Sequence, residues 1–278
     1  MRFAVSIPNF GAFADTALLC DLAREAEARG WDGFFLWDHI NWTSEPTLDP
    51  WIALTAIAGA TRRIRIGPMV TPLARRRPWI IARQTATLDV LSGGRVVLGV
   101  GLGFPPDTEF AHLGEDPDAR VRAQKLDEAL AIIDGLWSGE PFAFEGKQYR
   151  IAQARFLPRP VQRPRIPVWV AGMLPARAPL RRAARWDGVF PIHPDDEGFR
   201  PLTTDEVRST RDYIRARRAD ASPFDIVVGL PLPASDGAAE AAISAYAEAG
   251  ATWWVCSEFT PGDLRQTLAQ LERVRPRA

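Results

Sequence analysis

RRPWIIARQTATLDVLSGGRVVLGVGLGF, residues 76–104, reads as a helix, a glycine turn and a buried strand that opens into a glycine-rich loop. Ile80, Ile81, Ala82, Thr85, Leu88 and Leu91 recur at helical spacing and are expected to form one buried face. Pro78 suits a first helical turn, and Ser92-Gly93-Gly94 supplies residues that end a helix in the left-handed region. VVLGVG is apolar or glycine throughout, as a strand covered on both faces must be. Gly99, Gly101 and Gly103 then alternate at the strand's carboxyl end. Two readings stand there: a tight turn, or room for a flat ligand left by the missing side chains.

The same rhythm extends in both directions. Phe3 to Ile7 is a first strand, and Asp15 caps a helix bearing Leu18, Leu19, Leu22, Ala23 and Ala26. GFFLW is a second strand that delivers Asp38-His39 at its carboxyl end; Pro50 opens a helix to Ala60, and RIRIGPMV is the third strand. After the quoted stretch comes a helix over about 118–137. Residues 139–166 break the pattern with a small hairpin turning at Glu145-Gly146 and a proline-rich connector. VWVAG, GVFPI, DIVVGL and TWWVC supply strands five to eight. ARGWDGFFL (28–36), AARWDGVFP (183–191) and AEAGATWWV (247–255) repeat one unit, a helix end running through a short turn into a strand. Eight strands separated by helices favour a single (β/α)8 barrel over residues 1–278, with the hairpin inserted after the fourth βα unit. A doubly wound sheet is the alternative, weakened by the lack of GxGxxG after the first strand.

Composition narrows the function. The formal net charge is zero, with no basic stripe, which argues against nucleic acid. No apolar run reaches membrane-spanning length, and the first residues lack a signal-peptide core, so a cytoplasmic protein with no membrane association is expected. Cys20 and Cys256, the only cysteines, suit buried thiols, and no metal-ligand spacing is present. His39 lies where barrel sites form. As an imidazole it suits proton transfer, or simply a bond to a loop carbonyl. Asp38 either orients that ring or caps the loop.

Five segments in order, GWDGFFLWDH (30–39), RIRIGPMVTP (63–72), residues 78–103, FLPRPVQRPRIPVWVAG (156–172) and ARWDGVFP (184–191), resemble the bacterial luciferase-like monooxygenase family of FMN- or F420-dependent flavin oxidoreductases. The resemblance implies a barrel binding FMN or F420 at the carboxyl ends of its strands, with His39 over the cofactor and Asp38 beside it. It implies a bulge at Met69-Val70, often with a non-proline cis peptide, behind the cofactor ring. Gly101 and Gly103 would border that ring, and Ala171, Gly172 and Met173 with Pro191 and Ile192 would hold a phosphate. Arg177, Arg181 and Arg182 either assist or form a solvated helix face. Trp42, Trp79, Phe104 and His193 are expected to line a substrate pocket. Phe104 stands where the sugar-phosphate dehydrogenase branch has a carboxylate, which favours a small, moderately apolar substrate.

The implied activity is hydride transfer with F420, or monooxygenation with FMN supplied by a separate reductase. F420 is preferred slightly, because Arg75, Arg76 and Arg77 are expected to reach outward toward its acidic tail. A homodimer is implied by analogy. A non-catalytic flavin-binding protein of the same fold is the alternative.

Overall fold

Carboxylates start the first two barrel helices. Asp15 accepts the amides of Ala17 and Leu18, and Asp49 those of Trp51 and Ile52. The computed structural model describes residues 1–42, 44–196, 198–219, 222–232 and 236–274. In order, β1 (Arg2–Ile7), α1 (Thr16–Ala28), β2 (Gly33–Leu36), α2 (Pro50–Ala60), β3 (Arg65–Pro68), β4 (Thr71–Pro72), α3 (Pro78–Ser92) and β5 (Leu98–Gly101) make the first half. A short α4 (Pro106–Glu109), unexpected from the sequence, and the long α5 (Ala119–Trp137) lead to the antiparallel hairpin β6 (Phe142–Glu145) and β7 (Arg150–Ala154). Then come β8 (Val168–Met173), α6 (Arg177–Ala183), β9 (Gly188–Asp195), β10 (Gly198–Arg200), α7 (Thr204–Arg215), β11 (Asp225–Gly229), α8 (Asp236–Ala249), β12 (Trp253–Ser257) and α9 (Pro261–Val274).

The sheet runs β3-β2-β1-β12-β11-β9-β8-β5-β4, every neighbour parallel. β3 and β4 are two halves of one barrel strand, interrupted at Met69-Val70, where the peptide is cis. A parallel bridge between Ile66 and Val96 joins β3 to the start of β5, so the ring is closed. Counting β3 and β4 together gives eight barrel strands among the described residues, the (β/α)8 order expected. The sixth strand is longer than expected and folds back as β10 onto β9.

The repeated sequence unit has a structural purpose. The Asp32 carboxylate accepts the amide of Phe3, Asp187 accepts that of Val168, and the Thr252 hydroxyl accepts that of Ile226. Each time, the residue just ahead of one strand pins the start of its neighbour, setting the stagger that closure requires.

Inward side chains fill the lumen: Ala4, Phe35, Met69, Val97, Trp169, Val227, Trp253 and Val255 form one buried cluster. The larger core lies between strands and helices. On α3 the buried face is Ile81, Ala82, Thr85, Ala86, Leu88, Asp89 and Ser92. Ile80 and Leu91, expected inside, are half-exposed. They fall on the outer stripe of the same helix, and apolar character alone does not say which stripe meets the barrel.

Two glycines here make room for the protein's own chain. A Cβ at Gly99 would lie 2.3 Å from the Pro68 carbonyl oxygen, and one at Gly67 1.9 Å from that of Val97. These two glycines let β5 pass the interrupted strand closely.

Candidate active site

β2 ends by placing Trp37, Asp38 and His39 at the barrel mouth. The buried Asn9, just past β1, clamps the His39 main chain: its Nδ2 donates to the His39 carbonyl at 2.8 Å, and its Oδ1 accepts the His39 amide at 3.2 Å. The imidazole is therefore carried on a fixed backbone.

Asp38 faces the arginines rather than His39. Its Oδ1 accepts from Arg75 Nη2 at 2.8 Å and from Arg76 Nη2 at 2.7 Å, and its Oδ2 accepts from the Thr71 hydroxyl. Burial pushes the Asp38 carboxyl up, but the charges of Arg76 and Arg75 outweigh it and hold the group below its ordinary range. Arg75 and Arg76 therefore do not reach outward, contrary to the sequence expectation. They are drawn in because Asp38, buried by the strand that carries it, requires counter-charge. Arg77 alone of the three is exposed, with its guanidinium 5.9 Å over the Trp79 ring.

The carboxylate beside His39 is Glu109, which sequence reading passed over. It is fully buried, and its Oε1 stands 3.5 Å from His39 Nδ1. It accepts the amides of Ile40 at 3.1 Å and Asn41 at 2.8 Å, and its Oε2 lies 2.7 Å from Arg75 Nη1. Burial raises the Glu109 carboxyl, while His39, the Asn41 amide and Arg75 lower it by more, so it stays ionised. At 3.5 Å the His39 Nδ1–Glu109 Oε1 contact is longer than a tight hydrogen bond. The only signal in the sequence was an acid followed by Phe110; burial of an acid is a tertiary fact.

Among residues expected near a cofactor, Val70, Gly101 and Ala171 converge. A Cβ at Gly101 would lie 2.8 Å from Val70 Cγ2 and 3.7 Å from Ala171 Cβ. Pairing of β8 with β5 stops at Val100–Val170, so Ala171 stands level with Gly101, the last residue of β5, and Gly172 and Met173 run on past it. On their other side they pair with β9, opposite Phe190, Pro191 and Ile192. His39, Gly101 and Ala171 thus lie near the carboxyl ends of their barrel strands, with the Met69-Val70 interruption between β2 and β5, an arrangement that fits a flat ring laid across the mouth. Gly103, at φ +86°, is packed against Phe110 and Pro72 and serves the loop's shape.

Other expected residues lie elsewhere. Gly172 leaves space for the protein itself: a Cβ there would fall 2.0 Å from Pro179 Cβ. Gly172→Val is therefore expected to destabilise the barrel by about 1–3 kcal/mol through overpacking against α6, read as a lower thermal midpoint even without any ligand. Trp79 packs edge-on against Tyr149 of the hairpin, 6.3 Å between centroids, and not against His39. His193 lies in β9 opposite Arg200 of β10, its Nε2 3.4 Å from Glu206 Oε1 and its Nδ1 2.8 Å from the Pro194 carbonyl. Arg182 is buried against Asp127, which Arg185 also meets; Arg177 is exposed and lies over Tyr213. Trp42, by contrast, stands 4.2 Å from the His39 ring and 6.1 Å from Phe104.

The chain is thus a closed parallel (β/α)8 barrel with an imidazole and a buried carboxylate at its carboxyl-end mouth and a non-proline cis peptide within the third strand, which makes that mouth the candidate site. The luciferase-like monooxygenase model matches residues 1–274, and the chain belongs to that family. Over 168 residues it is 39% identical to an F420-dependent glucose-6-phosphate dehydrogenase of Microbacterium testaceum. That match covers 58% of this chain and 48% of the relative, so it spans about half the relative's length. The fold is shared with an F420-dependent secondary alcohol dehydrogenase solved with an F420-acetone adduct, at TM-score 0.79 and 19% identity, covering 99% of this chain and 98% of that one. It is shared also with the oxygenating constituent of 3,6-diketocamphane monooxygenase from Pseudomonas putida, solved with FMN, at TM-score 0.65 and 18% identity over 87% of this chain and 71% of that one.

Proposed function

We propose that the protein is a flavin- or deazaflavin-dependent oxidoreductase, with F420 preferred over FMN, acting on a small, moderately apolar organic substrate. The observation that carries this is the His39 imidazole, fixed at the mouth by Asn9 and Glu109, beside the convergence of Val70, Gly101 and Ala171. Family membership and the F420-dependent relative support the cofactor class; Arg77 is the one exposed cation of the triplet left for an acidic tail.

The ring of the cofactor would rest on Val70, Gly101 and Ala171, with its phosphate toward Met173 and Ile192. Bound F420 supplies a carbon that accepts or donates hydride. His39 Nε2 then holds or moves the accompanying proton, while Glu109 keeps Nδ1 turned inward and balances an imidazolium. Asp38 acts through Arg75 and Arg76, keeping the floor beneath His39 and Glu109 in place. Titrating the protein with F420 and with FMN by fluorescence tests the reading. Tight F420 binding with substrate-dependent turnover supports it, whereas binding of neither cofactor removes it. Tight binding without turnover would leave the non-catalytic alternative.

We place the reaction in the cytoplasm: the thiols of Cys20 and Cys256 are unpaired, and burial pushes that of Cys256 up, out of reach of oxidants. No helix among the described residues is long and apolar enough to cross a membrane. A homodimer fits the outer face of α2 and α3. α2 contains no charged residue, its Ile52 is 69% exposed, and Ile80 and Leu91 of α3 lie half-exposed on the neighbouring helix. A helix apolar on all sides implies a covered outer face. Ile52→Glu is expected to convert a dimer to a monomer by light scattering; an unchanged mass places the interface elsewhere. A reductase partner is required only if FMN is the cofactor.

A further inference from the structure

The mouth has two unlike parts. The slot bounded by Val70, Gly101 and Ala171 belongs to the third, fourth and fifth barrel strands. Beside it, rings from the loops after β1, β2 and β12, joined by Phe104 from the loop after β5, form a row. Phe259 meets Trp37 edge-on at 5.4 Å, Trp37 stacks on Trp42 at 6.1 Å, and Trp42 meets Phe104 at 6.1 Å. Phe10 backs the middle of this row, 6.2 Å from Trp37 and 6.1 Å from Trp42. The row is open to solvent at both ends, with Phe104 46% and Phe259 63% exposed. Single exposed rings need no explanation, but a contiguous run of them at a barrel mouth marks a binding surface. His39 stands at its centre, 4.2 Å from Trp42 and 5.9 Å from Trp37.

Charge at this place is already spent. Glu109 and Asp38 hold Arg75 and Arg76 beneath His39, and those two arginines answer the two acids. At the rim, Glu258 beside Phe259 accepts from the Thr267 hydroxyl, and Glu45 lies against Gly11 next to Phe10. An anionic substrate would meet these acids with neither buried arginine free to bind it. Recognition is left to ring faces and dispersion.

We infer that the substrate of the proposed reaction is an uncharged compound carrying a fused or extended aromatic ring system, laid along the row Phe259–Trp37–Trp42–Phe104 with its reacting carbon at His39. The row is longer than one ring, which is why an extended system gains over a single one. The inference rests on the oxidoreductase reading for its chemistry, but the surface itself can be tested by binding alone.

The experiment is calorimetric titration of the folded protein, with and without saturating F420, using 2-acetylnaphthalene, acetophenone, 2-naphthoate and glucose 6-phosphate as probes. The expected order is 2-acetylnaphthalene tightest, acetophenone weaker, and the two anions weakest. Trp42→Leu and Phe259→Leu should each weaken 2-acetylnaphthalene by about 2- to 10-fold, the range of one aromatic contact. Phe259 is exposed enough that its replacement leaves folding intact, so it serves where Trp42→Leu fails to fold. Three results overturn the inference: tighter binding of either anion, no binding of 2-acetylnaphthalene, or unchanged affinity in Phe259→Leu. Failure of F420 and FMN to bind would sink the oxidoreductase reading instead, and the probe titrations without cofactor would still decide the ring surface.

Discussion

His39→Ala is expected to lower turnover by about 100- to 10,000-fold while leaving cofactor affinity nearly unchanged. A group that moves a proton in the transition state contributes on that scale, and its loss appears in kcat rather than in ground-state binding. The geometry supports this separation. The residues proposed to hold the cofactor ring, Val70, Gly101 and Ala171, do not include the imidazole, and Asn9 holds the His39 backbone whatever the side chain. Glu109→Gln supplies the companion measurement. If Glu109 works by orienting His39, the substitution slows the parent but adds nothing in the His39→Ala background, because groups acting as one unit are not additive. Full activity in His39→Ala, with a substrate in hand, would remove the imidazole from the mechanism.

Asp38→Ala is expected to destabilise the protein by about 3–5 kcal/mol, read as a lower urea midpoint with no ligand present. It leaves Arg75 and Arg76 without the carboxylate both of them meet, and breaking a buried pair from one side is far more harmful than never having built it. The same cluster sets an acid limit. Asp38 and Glu109 both have folded-state pKa values held below their ordinary ones, near 4. Their stabilisation is therefore complete above that ordinary value and is lost as pH falls through the depressed, folded-state values. Urea midpoints should hold level from pH 7 to about 5 and then drop, and in Asp38→Asn the drop should be shallower. A parent that loses no stability between pH 5 and pH 2 would show that the cluster contributes nothing.

The candidate site is built on a charged layer. Buried ions form a floor: Asp38, Arg75, Arg76 and Glu109 lock the loops after β2, β4 and β5 to one another. His39 stands on that floor with the rings of Trp37 and Trp42 beside it. On the proposed mechanism, a substitution in the floor would act through position, whereas one in His39 would act directly.

The sequence by itself determined the order of elements. Buried strands, capping carboxylates and glycine stops are local signals, so the (β/α)8 succession, the hairpin after the fourth unit and the place of His39 at a strand end were all legible. The repeated turn ahead of a strand was visible too, though its use in pinning the neighbouring strand was not. Tertiary structure decided which charges are spent. Arg75-Arg76-Arg77 look alike in sequence, yet two are buried against acids and one is exposed, because only the fold brings Asp38 and Glu109 beneath them. It also decided what each glycine accommodates: Gly99 a facing carbonyl, Gly172 a proline ring, and Gly101 the meeting of Val70 and Ala171. A missing side chain shows that something comes close, and only the partner across the fold says whether it is a ligand or the chain itself.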